Sequence, residues 1–373
     1  MIKPKVLAFY LPQYHPIPEN NKWWGNGFTE WTNVTKAKPL FKGHQQPKFP
    51  ADFGYYDLRL PEVREEQAVI AKRFGVDGFV YYHYWFGNGK QLLERPFNEV
   101  LESGKPDFPF CLCWANQTWS GVWHGAPNKT LIKQEYPGSK DNELHFEYLF
   151  KAFADPRYIR INDKPLFMVY DLNDLPDPKK FAIEIKEAAI GAGFKGVYLM
   201  ASNLNYDSFD LKGNEFDGKV SHAFNRVFSE LRNRNGLIDK LPSRIKRLLP
   251  EQDEQKKLSV IDHQLLVNET SFVKSNVDTY PMVVPNWDNT PRSSTRGVVL
   301  TNSSPELFRK QILKSIDFLE KNPLAEPLIF IKSWNEWAEG NYIEPDTVFG
   351  YKYLQVIKDT ILHKKAETKA KIL

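Results

Sequence analysis

Eight short apolar runs, rich in β-branched and aromatic residues, recur along this chain of 373 residues: "KVLAFYLP", "GFVYYHYWF", "FPFCLCWAN", "KPLFMVYD", "GVYLMAS", "FDGKVSHA", "YPMVVPNWD" and "PLIFIKSWNEW". Several have no polar alternation, the pattern of strands covered on both faces. Stretches with helical spacing lie between many of them. "LPEVREEQAVIAKRFG" ends at Gly75, and "DPKKFAIEIKEAAIGAG" starts beside Pro178 and stops at glycines. "SPELFRKQILKSIDFLEKNP" offers Ser304 as N-cap, Pro305 at N1 and Asn322-Pro323 as a stop. Eight strands alternating with helices predict an α/β fold, a (β/α)8 TIM barrel, as a single domain over residues 1–373. Two segments are too long for simple connections. Residues 15–60 form a long loop after the first strand, expected to fold over the barrel mouth. Residues 222–280 are expected as a helical insertion. Its stretch from Arg226 to Lys257 holds nine Lys/Arg against five Asp/Glu, which suits contact with an anionic glycan, a lipid-linked glycan or a membrane surface.

A barrel of this type builds its active site where the strands end. The polar and aromatic clusters of this sequence fall there: "PQYHP", "HYWFGNG", "WANQTW", "YDLND", "NWDNTPR" and "WNEWAEG" follow six of the eight runs. A core-filling aromatic has no reason to prefer one end of every strand. Aromatic residues make up 14% of the chain, and rings beside amides and carboxylates suit a sugar, whose apolar face stacks while its hydroxyls hydrogen-bond.

The densest cluster is "SWNEWAEGNYIEP", from Ser333 to Pro345, with three glutamates and two tryptophans. Cleaving a glycosidic bond needs a proton donor for the leaving oxygen and a second group at the anomeric centre, and carboxylates serve both tasks. Glu336 and Glu339 share one loop, and three-residue spacing lets both face the cleft. Two neighbouring carboxylates resist ionising together, so one is expected to be raised into the range of an acid.

Other chemistries find little support. His83 and His124 belong to no cluster with metal-ligand spacing, so neither metal nor cofactor is expected. No Walker, dinucleotide or GxSxG signature is present, and no Asp-x-Asp. A net charge of +4 is too small to argue for nucleic acid. Cys111 and Cys113 would alternate onto one strand face, poor geometry for a disulfide, and read as buried small residues in a reducing compartment. No signal-peptide pattern opens the sequence and no apolar stretch reaches a membrane-spanning length. The expected location is therefore cytoplasmic, with peripheral contact at the inner membrane as the reading for the basic segment.

Six motifs in order, "AFYLPQYHP", "WWGNGFTEWTNV", "FVYYHYWFGNGKQLLERP", "CWANQTW", "PNWDNTPR" and "WNEWAEGNYIEP", resemble the WbsX family, from Val6 to about Lys358. That family is associated with bacterial O-antigen and capsule gene clusters, is commonly labelled glycosyltransferase, and has a domain similar to glycoside hydrolase family 99. The resemblance implies retaining chemistry on α-mannoside-like bonds. Glu336 would assist the sugar's own 2-hydroxyl as nucleophile, and Glu339 would be the general acid and then the base. When the nucleophile belongs to the sugar, both carboxylates can work from one loop. Residues expected to line the sugar site are Tyr10, Tyr14, His15, Trp31, His83, Tyr84, Trp114, Asn116, Tyr170, Asn286, Trp287, Trp334, Asn335 and Trp337, with Trp334 and Trp337 shielding the pair from water. The partner is an oligosaccharide or polysaccharide, and the oligomeric state is left open. The alternatives are a transferase using a nucleotide- or lipid-linked sugar, and a glycan-binding module with a degenerate site.

Overall fold

The computed structural model describes residues 2–121, 130–202, 209–221 and 258–362. Each of the eight apolar runs contains a strand: β1 Lys5–Tyr10, β2 Gly78–His83, β3 Phe110–Trp114, β4 Lys164–Val169, β5 Tyr198–Ala201, β6 Gly218–Ser221, β7 Asp278–Val283 and β8 Leu328–Ile331. All pair in parallel with their sequence neighbours, with registers such as Leu7↔Gly78, Leu112↔Phe167 and Met282↔Phe330. Pairing of Lys5 with Leu328 joins β8 to β1 and closes the sheet into the expected (β/α)8 barrel. Close packing at the start of β2 requires a glycine, because a Cβ at Gly78 would meet Pro109 O at 2.9 Å and Ile159 Cδ1 at 2.8 Å.

Helices pack outside the strands: α1 Pro61–Arg73, α2 Arg95–Ser103, α3 Ser139–Phe153, α4 Pro178–Gly191, α5 Pro305–Lys321 and α6 Lys352–Ile357. Their ends follow the expected chemistry. The Ser304 hydroxyl accepts from Leu307 N at 3.3 Å, and Asp177 accepts from Lys180 N at 2.9 Å. Along α5 the spacing buries Leu307, Phe308, Ile312, Ile316 and Leu319, each contributing about 1.5–3 kcal/mol by leaving water.

Of the expected insertion, residues 222–257, with the basic stretch that includes Arg244, Lys246 and Arg247, lie outside the described residues, as does His124. The part that is described is not purely helical. Ser259–Asp262 is a strand pairing in parallel with Val298–Thr301, followed by the helix His263–Glu269. Cys111 and Cys113 are buried free thiols. Among the described residues no helix is long and apolar enough to cross a membrane.

Candidate active site

Past the end of β8 the chain makes a small antiparallel pair, Asn335–Glu336 with Asn341–Tyr342, joined by the turn Trp337–Glu339. This puts Glu336 at the end of one short strand and Glu339 at the end of the turn. Gly340 makes the turn possible. Its φ is +66°, and a Cβ there would meet Asp288 N at 2.7 Å. The absence of that Cβ lets Asp288 N donate to Glu339 O at 2.7 Å, which seats the turn against the loop after β7.

Both glutamates line a cavity of about 470 Å³ at the C-terminal mouth of the barrel. Phe9, Leu11, Tyr82, Tyr84, Tyr170, Met282, Val284 and Lys332 line it from strands or strand ends. The long loop after β1 adds Asn20, Trp24, Glu30 and Asn33, so it does cover the mouth. Contacts to Asp288 hold that loop down. His44 Nε2 lies 2.8 Å from Asp288 Oδ2, and Gln46 Nε2 donates to the same oxygen at 2.6 Å.

Each glutamate has its own cation. Lys332 Nζ lies 3.1 Å from Glu336 Oε2 and donates to Tyr82 OH at 2.8 Å. Arg292 Nη1 donates to Glu339 Oε1, while its Nε donates to Glu30 Oε1 at 2.7 Å. Burial raises the Glu336 carboxyl above the usual carboxylate range; Lys332 opposes this and Glu339 adds to it. Burial opposes the Arg292 charge, yet Glu30 and Glu339 hold the guanidinium well above its ordinary value.

Of the residues expected to line the sugar site, Tyr84, Tyr170 and Trp287 meet the two glutamates in the cavity. The others lie outside its lining. Tyr10 points at α1, its hydroxyl donating to Gln67 Oε1 at 2.6 Å. His83 lies 2.9 Å from His145 of α3, and burial lowers it to about 3, so it is uncharged. Trp114 donates to Trp85 O at 2.9 Å and packs on Phe181 of α4. These three are strand residues, and strand side chains alternate between faces. Their neighbours Phe9, Tyr82 and Ala115 occupy the inner face instead. Asn116 braces two loops, donating to Asp171 O at 2.7 Å and accepting from Asp171 N at 2.9 Å. His15 Nδ1 bonds Pro12 O, and Asn286 accepts from Ser303 Oγ at 2.8 Å.

The remaining four, with Tyr14, form the scaffold behind the loop. The Tyr14 hydroxyl donates to Asn335 O and accepts from Trp337 N at 3.2 Å. Asn335 bonds Leu11 N at 2.7 Å and Leu11 O at 3.1 Å, which fastens the loop to the end of β1. Trp31 donates to Tyr56 O and packs on Trp337. Trp334 lies against Phe79, and Trp337 stacks on Tyr342 with centroids 3.7 Å apart. Neither tryptophan covers the glutamates from the cavity side. They pack behind the loop because its polar side turns toward the barrel axis.

Glu30, Lys332, Arg292 and Tyr82 were not singled out in the sequence, although each stands inside a quoted motif. A signal was available for Glu30 and Arg292, as charged residues within aromatic, strand-end clusters.

Fold and cavity together define a (β/α)8 barrel with two carboxylates at its C-terminal mouth. The structure is similar to the GH99 endo-alpha-mannosidase from Bacteroides thetaiotaomicron in complex with Bis-Tris-propane, with a TM-score of 0.56 at 13% identity over 99% of this chain and 100% of that one. A second structure of that enzyme gives 0.52 at 15% identity, covering 100% of both chains. A glycoside hydrolase-like protein gives 0.56 at 13% identity, over 97% of this chain and 94% of that one. The model of the family described as glycosyltransferase WbsX matches residues 6–357, and the chain belongs to that family. Two relatives, both called uncharacterized protein WxcX, come from two strains of Xanthomonas campestris pv. campestris. They are 36% and 37% identical over 359 residues, covering 95% of this chain and 49% of each relative. The chain thus spans about half the length of the curated relatives it matches.

Proposed function

We propose that this chain is a carbohydrate-active enzyme of bacterial cell-surface polysaccharide synthesis, O-antigen or capsule, which cleaves or transfers a glycosidic bond at Glu336 and Glu339. The observation that carries the reading is the meeting of these two carboxylates in one cavity at the strand ends, with Glu336 buried and raised. Family membership supports a carbohydrate substrate.

The chemistry follows from the pair. Glu336 takes the proton of a substrate hydroxyl next to the anomeric carbon; burial raises its carboxyl and so strengthens it as a base once ionised, whereas the raised member of the pair was expected to be the acid. The hydroxyl oxygen keeps the O–H electron pair and bonds the anomeric carbon as the bond to the leaving oxygen breaks. That oxygen receives a proton from Glu339, which must first take one up against the pull of its ion pair with Arg292. Arg292 then stabilises the Glu339 carboxylate this leaves. Water or an acceptor sugar hydroxyl opens the intermediate, giving its proton to Glu339, and Glu336 returns its proton to the first hydroxyl. Hydrolysis and transglycosylation differ only in what attacks at this second step. Tyr84, Tyr170 and Trp287 offer faces for the sugar rings, in keeping with their place in the cavity.

A second reading, transfer from a nucleotide- or lipid-linked sugar, is favoured by the family's description as a glycosyltransferase. The test is a product assay on the surface polysaccharide of the source organism, with and without nucleotide sugars, for wild type, Glu336→Gln and Glu339→Gln. Turnover without nucleotide, lowered at least ~10²-fold in each variant, is expected. An absolute need for a nucleotide sugar replaces the first reading with the second. Wild-type rates in both variants place the chemistry elsewhere.

A further inference from the structure

Lys332 has no part in the chemistry described above, yet its side chain lines the cavity beside Glu336. It is the first residue after β8, and its N–H donates to Val283 O at 3.0 Å, continuing the ladder with β7. Strand alternation turns its side chain inward beside Phe330. The side chain is only 11% exposed. A buried ammonium survives folding only when it is paired and hydrogen-bonded. Here it donates to Tyr82 OH at 2.8 Å, lies 3.1 Å from Glu336 Oε2, and stands over the rings of Tyr82 and Trp287 at 5.4 and 5.7 Å. An ammonium has three N–H groups. Two are directed at Tyr82 and Glu336, which leaves one for the cavity that Lys332 lines. On the carboxylate side, Glu336 Oε2 is buried and accepts no hydrogen bond beyond this ion pair. The buried Oε2 thus depends on Lys332 for its compensation, while the third N–H of the ammonium is left for a hydroxyl group in the cavity.

We infer that Lys332 is a positioning residue of the proposed reaction: it holds Glu336 as a carboxylate inside the cavity and, with that carboxylate, forms the seat of the substrate hydroxyl that Glu336 deprotonates. This rests on the reading of Glu336 as a base. Without the lysine, burial and Glu339 would both drive Glu336 to its neutral form, which cannot take a proton. The other groups facing Glu336 do not replace the lysine. Tyr82 from β2, Tyr84 just after it and Tyr170 after β4 are held as neutral phenols by burial. Glu339, from its own loop, opposes ionisation, and Arg292, from the turn Thr290–Ser293, is already shared by Glu30 and Glu339. The seat also sets a preference. It accepts a sugar with a free hydroxyl beside the anomeric carbon, and it rejects one whose hydroxyl there is replaced by hydrogen or an ether.

The test needs no identified substrate. The protein is labelled with carboxyl-¹³C glutamate and titrated by NMR, the Glu336 signal being the one that Glu336→Gln removes. In Lys332→Met the Glu336 titration is expected to move up by about 1–3 pH units, the size of an opposite charge at this range. Lys332→Arg, which keeps the charge, is expected to hold it at the wild-type value. Should Lys332→Met fail to fold, Lys332→Gln carries the same comparison. A Glu336 titration unmoved in the neutral variant, or moved equally by Lys332→Arg, overturns the inference while leaving the pair of glutamates in place. Wild-type turnover of Glu336→Gln in the polysaccharide assay instead overturns the reading of the site, and with it the catalytic purpose of Lys332, whatever the titration shows.

Discussion

Glu344 stands behind the loop that carries both glutamates, and its burial predicts how stability changes with pH. Its Oε2 accepts from Trp337 Nε1 at 2.6 Å and Tyr56 OH at 2.9 Å, and its Oε1 accepts from Gln67 Nε2 at 2.6 Å. Burial outweighs these donors and raises the carboxyl from 4.5 to about 7. The folded state thus binds this proton more tightly than the unfolded chain. Between about pH 4.5 and about pH 7 the folded protein holds a proton that the unfolded chain has lost, so stability falls as pH rises through that window and levels off above it. At about 1.4 kcal/mol per pH unit of difference, the loss is roughly 3 kcal/mol. Glu344→Gln cannot titrate. The stability of wild type minus that of the variant should therefore drop by roughly 3 kcal/mol from about pH 4 to about pH 8. Urea unfolding of both proteins at closely spaced pH values measures this. Taking the difference cancels the other titrating groups. A difference that is flat across the window, or that rises with pH, refutes the reasoning.

Three further outcomes are expected. Arg292→Met leaves the carboxylates of Glu30 and Glu339 without their shared cation, at 1% and 12% side-chain exposure. It should cost about 3–5 kcal/mol, which for a chain of this size lowers Tm by about 4–6 °C; adding Glu30→Gln should restore part of the loss, and a double variant no more stable than the single one counts against the ion triad. Tyr82→Phe, on the inner face, should lower turnover about tenfold, while Tyr10→Phe, on the outer face, should cost about 1 kcal/mol of stability and leave turnover unchanged; the reverse pattern contradicts the strand register. Activity should survive EDTA, since among the described residues no cluster of three His, Cys, Asp or Glu is placed to hold a metal; loss on chelation with rescue by Mg²⁺ or Mn²⁺ would support a metal-dependent transferase.

The strands and the glutamates were legible because their signals are local. A strand covered by the barrel interior on one side and helices on the other is apolar throughout, and its ends are marked by glycine, proline or a capped helix, as at Gly75, Gly78 and Ser304. Glu336 and Glu339 stand three residues apart in one loop, so their proximity needed no tertiary contact. The family motifs were also read directly, and the match over residues 6–357 agrees with them.

The orientation of individual side chains was not legible, for the same physical reason that made the strands easy to find. With both faces apolar, no polar alternation reveals which residues point inward, and a displacement of one position exchanges Tyr10 for Phe9, His83 for Tyr82 and Trp114 for Ala115. The electrostatics of the site were equally hidden. Glu30 meets Arg292 across 262 positions, and Lys332 meets Tyr82 across 250. By itself the sequence determined the number and order of the strands, the position of the carboxylate loop at the end of the last one, and the family. Only the closed barrel decided which aromatics face the cavity and which cation each glutamate keeps, because a charge pair depends on distance in space and the chain sets that distance only when β8 returns to β1.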